Sequence, residues 1–236
     1  TTWTARTSPF TTGAARIIAN GSTFLAIAGG SSNAAATSTD GITWTARTLP
    51  ATATWTDVIW NGSIYCAIAQ ESSIAATSSD GITWTQRALA QSGYWYSLAW
   101  NGTVFCAVGA AEEIDTSPDG ITWTSRTAPV GSSFTQVHNQ GSTFYVSDFS
   151  TSRIYSSTDD GVTWNTVGAA APFPAVGFVC NGTTFTVCYG ATVYTSTDTC
   201  ATWSAGINSG TSGGGFKAFR YLNGLYMKPS RQAAAG

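Results

Sequence analysis

Ser38-Thr39-Asp40-Gly41-Ile42-Thr43-Trp44 contains a motif, Asp-Gly-Ile-Thr-Trp, that recurs along this chain of 236 residues. Identical copies occur at Asp80–Trp84 and Asp119–Trp123, and the copy at Asp160–Trp164 differs only by Val for Ile. A diverged copy occupies Asp198–Trp203. The motif tryptophans, together with one near the N-terminus, stand 39 to 41 residues apart, at Trp3, Trp44, Trp84, Trp123, Trp164 and Trp203. A fixed repeat of this length is typical of propellers, solenoids and other arrays.

A second landmark, Asn-Gly, recurs in step with the first. Asn-Gly between alternating apolar runs predicts a hairpin with a two-residue turn, and in the second repeat this turn would pair Trp60 with Ser63. Each repeat then has four strands: one before Asn-Gly, one after it, one at Ala-Ala-Thr-Ser and one at Thr-Trp-Thr-x-Arg. The turns stand at Asn20, Asn61, Asn101, Asn181 and Asn223, with Gln140 in the fourth repeat.

Four antiparallel strands in about 40 residues are typical of a propeller blade. We therefore predict an all-β, six-bladed β-propeller with four antiparallel strands per blade, forming a single domain over residues 1–236. Thr2–Thr7 is an orphan fourth strand, and it is expected to join the last blade and close the ring. The predicted repeats, first to sixth, are 9–48, 49–88, 89–127, 128–167, 168–206, and 207–236 with 1–8.

The composition narrows the possible partners. Charged residues make up 9% of the chain and the net charge is −2, without a basic run, which argues against nucleic acid and anionic membranes. No apolar run approaches the roughly 20 residues of a membrane span, and no cofactor motif is visible. Cys66 and Cys106 occupy equivalent apolar positions, which predicts buried thiols rather than a metal site. The chain begins within a repeat, so we expect a part of a larger protein or virion assembly, on a virion or cell surface.

The segment Ser157–Trp164 resembles the Asp-box, or BNR repeat, of sialidase-like β-propellers, which are also found in phage tail and bacterial surface proteins. The resemblance extends over the whole chain at the level of the repeat. Sialidases of this family need an arginine triad, a Tyr–Glu pair and an acidic Asp; the nearest arginine motif here, Phe219–Leu222, lacks the family's proline. We therefore predict that the chain is not an enzyme. The resemblance implies a structural role for Asp40, Trp44, Asp80, Trp84, Asp119, Trp123, Asp159, Trp164, Asp198 and Trp203.

The candidate binding residues lie at the opposite end of each blade from these motifs, where the connections vary in sequence. Aromatic residues stand eleven positions after three of the motif tryptophans, and rings there could stack on sugars or, alternatively, pack between blades. Variable loops on a rigid scaffold are common binding sites. The predicted ligand-binding residues are Trp55, Tyr94, Trp95, Phe134, Glu112, Arg153 and Arg231.

Three functions follow from this pattern. The first is a non-catalytic recognition module of phage tail-fibre or adhesin type that binds a cell-surface glycan or receptor. The second is a sialidase-type glycoside hydrolase, and the third is a structural propeller that binds protein.

Overall fold

A computed structural model describes residues 6–129, 131–172, 177–182, 184–189, 192–204, 206–208, 220–222 and 225–227. Within these ranges the backbone forms strands, turns and loops, without a helix, so the predicted all-β class is confirmed there. The described residues therefore contain no helix that is long and apolar enough to span a membrane. Most of the predicted closing strand Thr2–Thr7, and Arg231, lie outside the described residues.

The first sheet has seven antiparallel strands, and each pairs with the next in the chain. They are β1 (Ala14–Ala19), β2 (Phe24–Ala28), β3 (Ser31–Ser38), β4 (Thr45–Trp60), β5 (Tyr65–Gln70), β6 (Ser72–Ser78) and β7 (Thr85–Gly93).

Three further sheets have four strands each, and the last described strands form a hairpin. The third repeat contains β8 (Trp95–Trp100), β9 (Phe105–Gly109), β10 (Ile114–Ser117) and β11 (Thr124–Ser125). The fourth contains β12 (Phe134–Gln140), β13 (Thr143–Asp148), β14 (Ile154–Ser157) and β15 (Asn165–Val167). The fifth contains β16 (Gly177–Asn181), β17 (Thr184–Tyr189), β18 (Thr192–Ser196) and β19 (Ile207–Asn208). The hairpin is β20 (Arg220–Leu222) and β21 (Leu225–Met227).

Strand β4 belongs to two repeats. Its beginning, up to Thr48, pairs with β3, and so do Ala53 and Thr54 beyond the bulge, whereas its end, from Thr54, pairs with β5. The register with β3 shifts in between, at a bulge that contains Pro50, a residue that cannot donate to a sheet ladder. The seven-stranded sheet is therefore two four-strand repeats that share one continuous strand, and the predicted boundary at 48/49 lies within it.

The pairing of the hairpin at Asn61 differs from the prediction by two residues. Trp60 pairs with Tyr65, not with Ser63. The side chain of Asn61 explains the shift, because its Oδ1 accepts hydrogen bonds from the N–H groups of Ser63 (2.9 Å) and Ile64 (2.8 Å). Asn61 thus caps the turn instead of entering it, and Gly62 takes the positive φ of 102°. Since the pairing moves by two residues, each side chain keeps its predicted face.

The described residues form two compact units, one made of residues up to Ala107 with Asp115–Ser125, the other of Val108–Ile114 and residues from Arg126 onward. The core of the first unit is built around buried side chains of the second strands, such as Tyr65 and Phe105. The core of the second contains Phe178 and Phe185. Cys66 and Cys106 are both buried, as predicted.

One aromatic position recurs four residues after the turn Asn or Gln of the first five repeats. It is fully buried in the second to fifth repeats, at Tyr65, Phe105, Phe144 and Phe185. The equivalent Phe24 of the first repeat is 38% exposed, and Ile17 beside it on β1 is 52% exposed. The first repeat therefore presents an apolar sheet face that its equivalents bury.

Candidate functional site

The motif aspartates build tight turns between the third and fourth strands. Asp40 Oδ1 accepts hydrogen bonds from the N–H groups of Ile42 and Thr43, both at 2.7 Å. Ser38 Oγ donates to Asp40 Oδ1 (2.9 Å) and accepts from the Gly41 N–H (2.9 Å). These hydrogen bonds, first that from Ile42, lower the pKa of Asp40 to about 2. The carboxylate is thus held in its charged form by the backbone of its own turn.

The two divergent copies keep this geometry. In the fourth repeat the turn is one residue longer, and Asp160 and Gly161 both take positive φ. In the fifth, Cys200 stands where Gly161 does and takes a φ of 64°, and its N–H still donates to Ser196 Oγ at 2.9 Å. Hydrogen bonding, led by the Thr202 hydroxyl, lowers the pKa of Asp198 to about 2.

The motif tryptophans brace the same turns. The indole N–H donates to the carbonyl oxygen of the motif glycine from Trp84 (3.2 Å), Trp123 (3.2 Å) and Trp164 (3.1 Å). Trp203, in the copy without that glycine, instead donates to Ala169 O at 3.5 Å. The motif aspartates and these four tryptophans therefore make hydrogen bonds to the backbone of the scaffold.

Three of the predicted ligand-binding rings lie in the interior. Trp55, Trp95 and Phe134 are all fully buried, so they form no sugar-stacking surface. The alternative from the sequence, packing between blades, agrees with the core clusters of Trp55 and Trp95, each of which contains residues of two neighbouring repeats. Each is the first of the inward-facing side chains that alternate along the first strand of its repeat. The Trp55 indole N–H donates a hydrogen bond to Ala51 O at 3.2 Å.

The tyrosines that flank Trp95 point the other way. Tyr94 is 48% exposed and Tyr96 is 36% exposed, because residues two apart on an extended strand share a face. The equivalent positions beside Trp55 are Thr54 and Thr56, and Thr56 Oγ1 donates to the carbonyl oxygen of Trp95 at 3.0 Å. The third repeat thus replaces small hydroxyl side chains with two exposed rings at its variable end.

The predicted charged residues Glu112 and Arg153 lie in connections between strands. The Glu112 carboxylate accepts a hydrogen bond from the Gly131 N–H, and Glu112 has a φ of 67° in a tight turn. Arg153 is half-buried, and its carbonyl oxygen accepts from the Asp148 N–H at 2.9 Å. In the described part of the chain, no hydrogen bond or ion pair joins Glu112 to Arg153.

A polar layer that the sequence analysis missed links consecutive first strands. Arg16 Nε lies 3.0 Å from Asp57 Oδ1, and both side chains are largely buried. Asp57 Oδ2 accepts from the Leu98 N–H of the next repeat at 3.0 Å. Burial raises the pKa of Asp57, while the Arg16 charge and the backbone donors act in the opposite direction. Arg16 and Asp57 stand four residues before successive turn asparagines, and this spacing was the available signal.

A similar contact between a polar side chain and the next repeat occurs in the second unit. Gln136, which also stands four residues before the turn residue, accepts from the Phe178 N–H at 2.6 Å through its Oε1. His138 packs edge-on against Phe178 with ring centroids 5.5 Å apart. The inner polar side chains therefore connect repeats.

Asp115 is a buried carboxyl in the third strand of the third repeat. Its Oδ2 accepts from the Ala90 N–H at 2.7 Å, whereas its Oδ1 has no partner. Burial raises its pKa to about 6 against these hydrogen bonds. No group of three metal-binding side chains occurs in the described ranges.

Most aspartate side chains accept a hydrogen bond from a backbone N–H group. Those that accept a hydrogen bond from a backbone N–H are Asp40, Asp57, Asp80, Asp115, Asp119, Asp148, Asp159 and Asp198. The sequence has one further aspartate, Asp160. In the motif turns these hydrogen bonds lower the pKa of the aspartate and stabilise it as an anion, whereas burial raises the pKa of Asp57 and Asp115.

Comparison with known proteins gives the fold. No protein-family model matches the chain, and no curated protein sequence matches it. Virginiamycin B lyase from Staphylococcus aureus, solved in an inactive form with quinupristin, matches with a TM-score of 0.75 at 10% identity, over 90% of this chain and 76% of that one. YCF48 bound to D1 peptide matches with a TM-score of 0.59 at 18% identity, over 72% and 58%. The WD40 β-propeller domain of Doa1 matches with a TM-score of 0.57 at 11% identity, over 75% and 62%.

These solved structures are β-propellers. The chain has the β-propeller fold. The chain spans 58% of the length of the YCF48 structure, and all three identities are below 20%. Similarity at this level carries the fold and not the activity, because unrelated functions share propeller scaffolds.

Proposed function

We propose that the chain is a non-catalytic recognition propeller that binds a cell-surface glycan, as part of a phage tail fibre, another receptor-binding protein or an adhesin. The observation that carries this proposal is the exposed pair Tyr94 and Tyr96 at the variable end of the third repeat. The backbone between them is anchored by the buried Trp95. Rigid tyrosines combine a flat apolar face with a hydroxyl, which suits the alternating apolar and polar surface of a sugar.

The aspartate contacts support a non-catalytic role. A sialidase-type hydrolase would need carboxyl groups that exchange protons or attack a glycosidic carbon. Here the turn aspartates have lowered pKa values, with Asp40 and Asp159 at about 2, because they accept hydrogen bonds from their turns. A polypeptide ligand is the second candidate, favoured by the similarity to YCF48, which was solved with a bound peptide.

We also propose that six repeats of the Asp-box type make up the propeller, with Thr2–Thr7 as the last strand of the sixth. The exposed Ile17 and Phe24 support this proposal, since a further repeat would cover a face that is buried elsewhere. Deleting residues 1–7 should then lower the urea midpoint of unfolding. An unchanged midpoint would contradict the closure.

A glycan-array screen tests the recognition proposal. The wild type should bind a defined set of glycans, and the variant Tyr94→Ala/Tyr96→Ala should lose them. Ile82→Ala is a matched control, because Ile82 is as exposed as Tyr94, at 48%, but lies in a motif turn. Absence of any glycan hit, or release of product from a fluorogenic sialoside, would contradict the proposal, and a protein captured through the tyrosines would favour the second candidate.

A further inference from the structure

A cavity of about 230 Å³ opens in the first repeat, beside the turn formed by Asp40. It is lined by five threonines, one serine and Arg47. Hydroxyl groups both donate and accept hydrogen bonds, whereas a guanidinium only donates. The lining therefore offers a positive charge surrounded by polar groups that can adapt to a ligand.

Arg47 is held in place within this cavity. Its Nε donates to Thr37 Oγ1 at 3.0 Å, and Thr37 is itself buried on β3. In the described part of the chain, the two terminal amino groups of Arg47 have no hydrogen bond or ion pair. A guanidinium fixed through Nε presents these two groups as a planar fork, which matches the geometry of a carboxylate or sulfate.

The second repeat provides an internal comparison. Arg87 Nε donates to Thr77 Oγ1 at 3.0 Å, so the arginine–threonine pair is the same. The position of Thr23, three residues after the turn asparagine, is occupied there by Ile64, which packs against the core. Thr23 thus gives the first repeat a hydroxyl and a shorter side chain where the second repeat has an apolar one.

The motif acid Asp40 lies outside the cavity lining, and its Oδ1 accepts three hydrogen bonds within its own turn. Those donors stabilise its negative charge, which repels an anion. Arg47 is the charged residue of the lining itself, so an anion in the cavity would depend on the attraction of Arg47 exceeding this repulsion.

We propose that this cavity binds one anionic saccharide unit, with the anionic group on Arg47 and the sugar hydroxyls on the surrounding threonines. Its volume is below the roughly 300–1,000 Å³ of pockets for drug-sized ligands, which favours a single sugar over a chain. The cavity lies at the motif end of its sheet, whereas Tyr94 and Tyr96 lie at the variable end. The inference is therefore independent of the proposed glycan surface.

The test is a titration of the protein with glucuronate, monitored through its amide chemical shifts in NMR. Glucose and inorganic sulfate serve as comparison ligands. Glucuronate should shift the amides of the cavity residues and bind more tightly than either comparison ligand. Arg47→Gln should weaken glucuronate binding by about tenfold or more, since a charge-assisted hydrogen bond is lost. Thr23→Ile, which copies the second repeat, should weaken it similarly while leaving Arg47 in place.

Arg87→Gln is the matched control and should leave the affinity unchanged. Equal loss in Arg87→Gln and Arg47→Gln would show general charge attraction and overturn the proposal. Sulfate bound as tightly as glucuronate would overturn the saccharide assignment, and unshifted cavity amides would overturn the site. Each variant's NMR spectrum also shows whether it is folded.

Discussion

Removing the carboxylate of Asp57 should destabilise the protein more than any surface substitution. In Asp57→Ala the Arg16 guanidinium, 3.0 Å away and 19% exposed, is left largely buried without its counter-charge. The Leu98 N–H, which donates a hydrogen bond to Asp57 Oδ2 at 3.0 Å, also loses its acceptor. Breaking a buried ion pair from one side costs about 3–5 kcal/mol, which includes such orphaned donors. For a chain of this size that corresponds to a loss of roughly 6–20 °C in Tm.

Urea unfolding, followed by tryptophan fluorescence, measures this cost through the ten tryptophans of the chain. Arg16→Met keeps the length of the side chain but removes the charge, and the double variant Arg16→Met/Asp57→Ala completes a cycle. We expect a coupling free energy of about 1.5 kcal/mol or more, because the two groups act as one unit. Asp57→Asn, which keeps an oxygen near Leu98, should cost less than Asp57→Ala. A cost below about 1 kcal/mol for Asp57→Ala, or additive effects of the two single substitutions, would show that Arg16 and Asp57 are not a coupled buried pair.

The remaining predictions concern the turns and the buried rings. The lowered pKa values of the motif aspartates mean that their contribution to stability is complete above the ordinary carboxyl pKa near 4 and is lost as the pH falls toward 2. The urea midpoint should fall over that window, and less so in Asp80→Asn; a pH-independent midpoint would contradict this. Gly120→Ala should lower the free energy of unfolding by about 1–3 kcal/mol more than Gly41→Ala does. Both glycines have a φ near 70°, but the added methyl group comes within 3.1 Å of Thr77 only at Gly120. Equal free energies of unfolding for the two variants would disprove the steric cause. Trp55→Ala should lower the free energy of unfolding by about 3–5 kcal/mol, and a near-neutral effect would argue against its burial.

The repeat and its strands could be predicted from the sequence because their signals are local. Asn-Gly and the motif aspartates make hydrogen bonds within a few residues, so their positions indicate the turns directly. The predicted pairing of Trp60 with Ser63 was wrong because the side-chain oxygen of Asn61 accepts the hydrogen bond from the Ser63 N–H. Sequence alternation alone did not distinguish these two ways of closing the same hairpin.

The binding residues were harder to predict than the scaffold. Spacing correctly grouped Trp55 and Trp95 as equivalent positions, but a recurring aromatic position is a property of the core. The exposed rings are the residues that break the pattern, Tyr94 and Tyr96, which replace threonines of the second repeat. The Arg16–Asp57 pair joins residues 41 positions apart in the chain, and that contact depends on how neighbouring repeats pack.

Calorimetric titration of the best glycan from the array into the wild type and Tyr94→Ala/Tyr96→Ala measures whether the two tyrosines bind the ligand. We expect saturable binding by the wild type, a loss of affinity of about tenfold or more in the double variant, and an unchanged affinity in Ile82→Ala. The same affinity in the double variant and the wild type would contradict a recognition surface at the two tyrosines.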